Sequence, residues 1–138
     1  MELADLNYLA VLVGGIIIFI LGGLWYSLIF AKTWMKLHGK VAEDVEKSGQ
    51  KAGAGPYVLV FFCGLISSLV IALLFHLFGV DDVPRGVHIA ALFWLGFTGP
   101  AMLANTIFSF RPWKLWLIDA SYYLVAYMAV GALHAAWH

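Results

Sequence analysis

The sequence predicts an all-α fold, an integral membrane bundle of four transmembrane helices formed by one domain over residues 1–138. Hydrophobic residues make up 63% of the chain and charged residues only 12%, far from the balance of a soluble domain. Four continuous apolar runs each reach the length of a helical crossing, about 20 residues. Their continuity argues against membrane β-strands, which alternate in polarity over about 10 residues.

The first predicted helix spans residues 8–30. Acidic Glu2 and Asp5 precede it where a secretory signal would carry basic residues, and no small-residue cleavage site follows, so we expect it to be retained. Near its end, "LGGLWYSLIF" places Trp25 beside Tyr26. Neighbouring helical residues project about 100° apart. We therefore expect Trp25 to anchor at the membrane interface and Tyr26 to point into the bundle.

The connection after this helix, residues 31–56, is the long one in the predicted topology. It begins "AKTWMKLHGK", where Trp34 and Met35 alternate with lysines, a pattern typical of a short helix lying at an anionic lipid surface. It continues "VAEDVEKSGQKAGAGP", which favours a solvated helical turn followed by a linker. A docking surface for a partner is the alternative interpretation.

The remaining helices are predicted over residues 57–79, 87–108 and 113–137, with short connections between them. Pro100 lies inside the third helix, in "GFTGPAML", and should kink it by removing the hydrogen bond to the Gly96 carbonyl. Such a bend either lines a cavity or only redirects the helix.

The distribution of lysine and arginine predicts the orientation. Seven of the eight basic residues lie in or next to the first and third connections, and Arg85 lies in the second. The seven are Lys32, Lys36, Lys40, Lys47, Lys51, Arg111 and Lys114. Because cytoplasmic loops are enriched in positive residues, we expect residues 31–56 and 109–113 to be cytoplasmic. Both termini should then face the outer side of a cell membrane that the chain crosses several times.

Polar residues at one depth predict a layer inside the bundle. Tyr26 and Asn105 each precede a basic residue by six positions, and Asp119 lies six positions into the fourth helix. At 1.5 Å per residue all three should lie about 9 Å inside the cytoplasmic edge. Tyr122 and Tyr123 follow Asp119 within about one helical turn and belong to the same layer.

Asp119 is the sharpest feature of this layer, since an ionisable side chain in a membrane is paired, neutralised or functional. Arg111 is its possible charged partner, and Asn105, Tyr26 and Tyr122 are its possible polar ones. The interpretations are a structural bond that closes the last helical hairpin, a role in handling protons or cations, and catalysis. Catalysis is disfavoured because no companion acid, nucleophile or histidine lies at the same depth.

Histidines form a second candidate cluster at the outer side: His76, His88, His134 and His138. The last two are spaced i, i+4 and share a helix face. Imidazoles from neighbouring helices are ligands for zinc, copper or a haem iron. The alternative is chance spacing, with side chains that meet water or lipid headgroups.

Small residues on three helices predict close helix packing in lipid. They are Gly14, Gly15, Gly22 and Gly23 on the first helix, Gly64, Ser68 and Ala72 on the second, and Gly131, Ala132, Ala135 and Ala136 on the fourth. These faces serve either the bundle itself or a homo-oligomer.

The chain resembles a known family. The opening "NYLAVLVGGIIIFILGGLWYSLIFAKTWMKLHG", the proline-containing third helix ending near "FSFR", and "LWLIDASYYLVAYMAVGALHAAW" are similar to the bacterial four-helix membrane family catalogued as domain of unknown function 1761. Asn7 with Tyr8, the "GGLWYS" segment, and Asp119 with Tyr122 carry the resemblance. It implies a small multi-pass protein of the bacterial inner membrane and brings no activity, substrate or cofactor.

The function expected from these observations is that of a non-enzymatic membrane module that self-associates or serves another membrane protein, with the lipid bilayer around it and no cofactor. A formal net charge of zero argues against a nucleic-acid partner. The single Cys63 excludes an intrachain disulfide. The alternatives are a small oligomeric channel or transporter for a proton, cation or small polar solute that uses Asp119, and a metal- or haem-binding protein that uses the histidines.

Overall fold

The computed structural model describes residues 6–25 and 54–138, and in this part of the chain the fold is all-α, with four helices and no strand. Helix α1 spans Tyr8–Leu24, α2 Ala54–Phe78, α3 Val83–Phe108 and α4 Trp113–Ala136. The predicted all-α class is confirmed. Tyr26 and most of the long connection, residues 31–53, lie outside the described residues.

Three helices are long and apolar enough to cross a membrane. They are Tyr57–Phe78 within α2, Val83–Phe108 and Trp113–Ala136, of 22, 26 and 24 residues. Helix α1 is equally apolar in character but has 17 residues in the described range. Length and composition therefore support the membrane class that the sequence predicts.

Side-chain caps set where two helices begin. The Asn7 carboxamide oxygen accepts a hydrogen bond from the Ala10 N–H at 3.1 Å and starts α1. An Asp82 carboxylate oxygen accepts from the Arg85 N–H at 3.0 Å and starts α3, with Pro84 in its first turn. Because Asp82 supplies this cap, α3 begins at Val83, four residues before the predicted residue 87.

Left-handed residues end α2 and α3. Gly79, with a φ of 65°, follows α2, and the Val80 N–H bonds back to the Phe75 carbonyl at 2.9 Å, as in a Schellman motif. Phe110, with a φ of 58°, takes the same place after α3, and the Arg111 N–H bonds to the Thr106 carbonyl at 3.1 Å. Glycine adopts this conformation freely, whereas a phenylalanine there costs roughly 1 kcal/mol.

Helix α3 contains a π-helical turn at Trp94–Thr98, followed by its second α-helical part, Gly99–Phe108. The Gly99 N–H donates to the Trp94 carbonyl, five residues back instead of four. Pro100 has no N–H, and in a regular helix its ring would clash with the carbonyl four residues earlier. The wider π-helical turn lets the helix continue through Pro100. The disturbance that the sequence predicts at this proline is therefore a π-helical turn.

Helix α4 lies at the centre of the bundle and contacts each of the other three helices. Helix α1 packs on α2 and α4, and α3 packs mainly on α4. The core is a cluster of buried apolar side chains that includes Ile18, Phe75, Ala126 and Val130. The outward faces of α2 and α3 carry large exposed apolar residues.

Small residues bring helix backbones together inside the bundle. At the crossing of α3 and α4, a Cβ added to Gly86 would lie 2.7 Å from the Gly131 carbonyl oxygen, and one added to Gly131 would lie 2.7 Å from the Gly86 carbonyl oxygen. At the crossing of α1 and α2, a Cβ on Gly64 would lie 3.3 Å from Ile18. These faces therefore serve packing within one chain.

A matched pair of glycines in α3 tests this crossing. We expect Gly86→Ala to destabilise the protein by about 2 kcal/mol, because the new methyl group meets backbone atoms of α4 that cannot move aside. Gly96→Ala should be neutral or slightly stabilising, because none of the described residues lies within 4 Å of its added Cβ. Unfolding in a denaturing-detergent titration, followed by circular dichroism, measures both; equal stabilities of the two variants would contradict the close crossing.

Candidate functional site

A cleft of about 240 Å³ lies at one end of the bundle, where α1 begins and α2 and α4 end. Its polar lining residues are Asn7, His76, Asp81, His134 and His138, and its aromatic ones are Phe75 and Trp137. The structure thus brings three of the four predicted histidines to one cavity. His88 is exposed on α3 and does not line it.

The floor of the cleft is a hydrogen-bonded chain across three helices. Ser68 on α2 donates its hydroxyl hydrogen to the Val11 carbonyl of α1 at 2.9 Å, and its oxygen lies 2.9 Å from His134 Nε2 on α4. A hydroxyl has a single hydrogen. Since Val11 takes it, His134 must carry its proton on Nε2 and donate it to Ser68.

Gly14 makes room for this chain. A Cβ at this position would contact the Ser68 Oγ and would lie 3.5 Å from His134 Nε2. Ser68 is fully buried and His134 is 3% exposed. The pair is therefore buried at the floor of the cleft and joins α2 to α4.

The second histidine of α4 is also oriented by the backbone. His138 Nδ1 lies 3.0 Å from the Ala135 carbonyl oxygen, which can only accept, so Nδ1 carries the proton. His76 lines the cleft from α2 and is exposed. Among the described residues, no group of three or more histidine, cysteine, aspartate or glutamate side chains is arranged to hold a metal ion.

The residues predicted for the intramembrane polar layer take different positions. Tyr122 is buried and donates its hydroxyl to the Ile18 carbonyl of α1 at 2.7 Å. The Tyr123 ring lies beside it, with ring centroids 4.8 Å apart. Asp119, about one helical turn before Tyr122 in α4, is half-buried. Asn105, near the end of α3, and Arg111, in the turn after α3, are exposed. Tyr26 lies outside the described residues.

Three tryptophans join helices through their indole N–H groups, which sequence reasoning missed. Trp25 donates to the Ile118 carbonyl at 3.0 Å, Trp94 to the Ala120 carbonyl at 2.8 Å, and Trp116 to the Gly99 carbonyl at 2.9 Å. The sequence predicts Trp25 at the membrane interface, whereas the structure places it half-buried. An indole near a helix end that bonds a neighbouring helix has the same sequence signal as one that meets headgroups.

The buried polar side chains of the described residues all have hydrogen-bond partners. In residues 6–25 and 54–138, no buried side-chain nitrogen or oxygen lacks a hydrogen-bond partner. Thr98 on the π-helical turn donates to the Tyr127 hydroxyl at 3.0 Å and completes the contact between α3 and α4. The buried polar side chains of the described residues are therefore used in bonds within the bundle.

A family model described as a protein of unknown function (DUF1761) matches residues 9–135. The chain belongs to this family. The resemblance expected from the sequence is confirmed, and the match includes Ser68, His134 and the three bonded tryptophans of this DUF1761 protein. Comparison with curated proteins and with solved structures finds no match. The family description names no activity, so the function of the DUF1761 protein has to be argued from its own residues.

The buried serine supplies a stability prediction with a neighbouring control. Ser68→Ala removes the acceptor of the His134 Nε2–H and leaves that donor buried, which should destabilise the protein by about 1–3 kcal/mol. Ser67→Ala changes a half-buried neighbour that does not contact His134 through a hydrogen bond, and should cost less than about 0.5 kcal/mol. Detergent unfolding of both variants measures the difference, and an equal effect would mean that the bond to His134 contributes nothing.

Proposed function

We propose that this DUF1761 protein is a multi-pass membrane protein that works as a non-enzymatic module, by associating with itself or as an accessory subunit. The observation that carries the proposal is the distribution of polarity. Leu59, Phe97 and Phe108 are 68%, 74% and 83% exposed on helix surfaces, while the polar side chains bond between helices. Exposed apolar patches of this extent mark contact with lipid or with another protein.

The non-enzymatic part of the proposal is supported by the way the interior groups are used. Ser68 and His134 are committed to a chain of bonds that ends on the Val11 carbonyl. Tyr122 is committed to the Ile18 carbonyl in the same manner. Groups held by such bonds join helices, and none of these three is placed as an activated nucleophile with its base.

The basic residues at the two ends of α3 support an orientation of the module. Arg111 and Lys114 are exposed at the turn between α3 and α4, whereas among the described residues Arg85 is the one basic residue exposed near the turn between α2 and α3. Lysine and arginine favour the cytoplasmic side. In this proposal the turn at residues 109–113 is cytoplasmic, and the histidine-lined cleft and both termini face outward across the bacterial inner membrane.

Helix α3 offers the surface for self-association. The glycines at the helix crossings are used inside the bundle, but Pro100 and Ala104 are exposed and spaced four residues apart on one face of the α-helical part of α3 that follows the π-helical turn. Small residues at this spacing let a second helix approach closely in lipid. The face therefore suits contact with a second copy of the chain.

Thiol labelling tests the orientation. Cys63 is replaced by serine, and single cysteines are introduced as Asp81→Cys and Ser109→Cys, which are exposed at opposite ends of the bundle. In intact cells, a membrane-impermeant maleimide should label the first variant and should label the second only after permeabilisation. The reverse pattern would place the cleft in the cytoplasm, and labelling of both in intact cells would argue against a membrane-spanning arrangement.

Native mass spectrometry of the protein in its own lipids tests self-association. Ala104→Leu places a larger side chain on the exposed face of α3 and should shift an oligomer towards the monomer, by about tenfold in the dissociation constant if a close contact worth ~1.4 kcal/mol is lost. Gly23→Leu enlarges an exposed glycine of α1 whose added Cβ would have no described residue within 4 Å, and it should leave the oligomer intact. An oligomer unaffected by Ala104→Leu would exclude this face, and a second protein in the complex would favour the accessory role.

A further inference from the structure

The cleft presents hydrogen-bond acceptors from two imidazoles. His134 donates Nε2–H to Ser68, so its other ring nitrogen, Nδ1, carries a lone pair when the ring is neutral. Nδ1 makes no hydrogen bond to the described residues, and no buried side-chain nitrogen in that part of the chain is unpartnered, so Nδ1 is accessible from the cleft that His134 lines. His138 uses Nδ1 for the Ala135 carbonyl, which leaves Nε2 as its acceptor.

The remaining electrostatics of the cleft also favour a positive group. Asp81 contributes a carboxylate from the turn after α2. Helices α2 and α4 both end at the cleft, and the C-terminal end of a helix carries a partial negative charge. Helix α1 begins there, but Asn7 occupies the N–H groups of Ala10 and Val11.

Two donors near the cleft bond to backbone carbonyls. The Asn7 amide gives one of its two N–H groups to the Trp137 carbonyl at 3.4 Å. Arg85, the basic residue nearest this end of α3, extends Nη1 to the Gly79 carbonyl at 3.5 Å and does not line the cleft. Among the described residues no lysine or arginine lines the cleft, so none there competes with a cationic ligand for Asp81.

We infer that this cleft, which His134, His138 and Asp81 line, binds a primary ammonium group. Such a group brings N–H donors to a lining that offers imidazole and carboxylate acceptors, and the rings of Phe75 and Trp137 on the cleft wall suit a cation with a short carbon chain. A volume of about 240 Å³ is below that of a site for drug-sized ligands and leaves room for a small amine such as ethanolamine.

An ammonium group of this size has two sources, a free amine in solution and the headgroup of phosphatidylethanolamine. Both share the chemistry that the cleft recognises. The inference goes beyond the proposed function, because binding by one chain requires neither self-association nor a partner subunit.

The experiment uses the full chain with ¹⁵N-labelled histidine in nanodiscs of phosphatidylcholine, and follows the imidazole nitrogens by NMR during titration with ethanolamine. We expect saturable shifts of the His134 and His138 signals and an unchanged signal from His88, which lies outside the cleft. Choline, which has the charge but no N–H donor, should bind at least about tenfold more weakly, a loss of ~1.4 kcal/mol. Nanodiscs that contain phosphatidylethanolamine test the lipid as the source.

Matched carboxylate variants complete the test. Asp81→Asn should weaken ethanolamine binding by about tenfold, since it removes the charge that faces the ammonium. Asp82→Asn neutralises the neighbouring residue, keeps an equally good helix cap, and should change binding less than twofold.

Shifts with ethanolamine alone would identify a free amine, and the same shifts caused by phosphatidylethanolamine without added amine would identify a lipid headgroup. Absence of both, or equal effects of Asp81→Asn and Asp82→Asn, would overturn the inference. Equal binding of choline would do the same.

Discussion

A polar group inside an apolar bundle must find its hydrogen-bond partner in the protein, and in this chain α4 supplies or receives most of those bonds. Its Ile118 and Ala120 carbonyls accept indole N–H groups from α1 and α3. In the other direction, Tyr122 donates to α1 and His134 to α2. In hydrocarbon each unmet partner would cost several kcal/mol, so these bonds fix how α1, α2 and α3 are placed around the central helix.

The helices themselves could be predicted, because continuous apolar runs and local caps are properties of neighbouring residues. The caps at Asn7 and Asp82 use side chains three residues from the N–H they bind. The Ser68 and His134 pair could not be predicted, since 66 residues separate its members and a serine in an apolar run also fits a packing role. The positions of the histidines in the sequence did indicate that they lie at one end of the bundle. The tautomers of His134 and His138 could not be predicted, because they depend on hydrogen-bond partners that the fold brings near.

The exposed position of Asn105 has a physical cause in the π-helical turn. A regular helix would place Trp94, Thr98 and Asn105 on one face, as the sequence suggests. The turn at Trp94–Thr98 holds one extra residue, so the helix face that contains Trp94 next contains Gly99, five residues later. The Gly99 carbonyl accepts the Trp116 indole N–H of α4. One residue corresponds to about 100° of rotation, and Asn105 is turned away from α4 by that amount. From the sequence, Pro100 indicates that the helix is disturbed but does not indicate how far the helix face is rotated.

The position of α4 in the chain has a consequence for biosynthesis. Helices α1 and α2 are translated first and can form their crossing at Gly64 and Ile18 while the ribosome is still making the rest. During that interval the Trp25 indole and the Ser68 oxygen have none of the bonds to α4 that they make in the finished fold. An early helical hairpin without its contacts to α4 is less stable than the finished bundle, and chaperones and proteases act on such incompletely packed intermediates. The arrival of α4 supplies the missing contacts, so the lifetime of the unfinished chain depends on how quickly its final helix inserts.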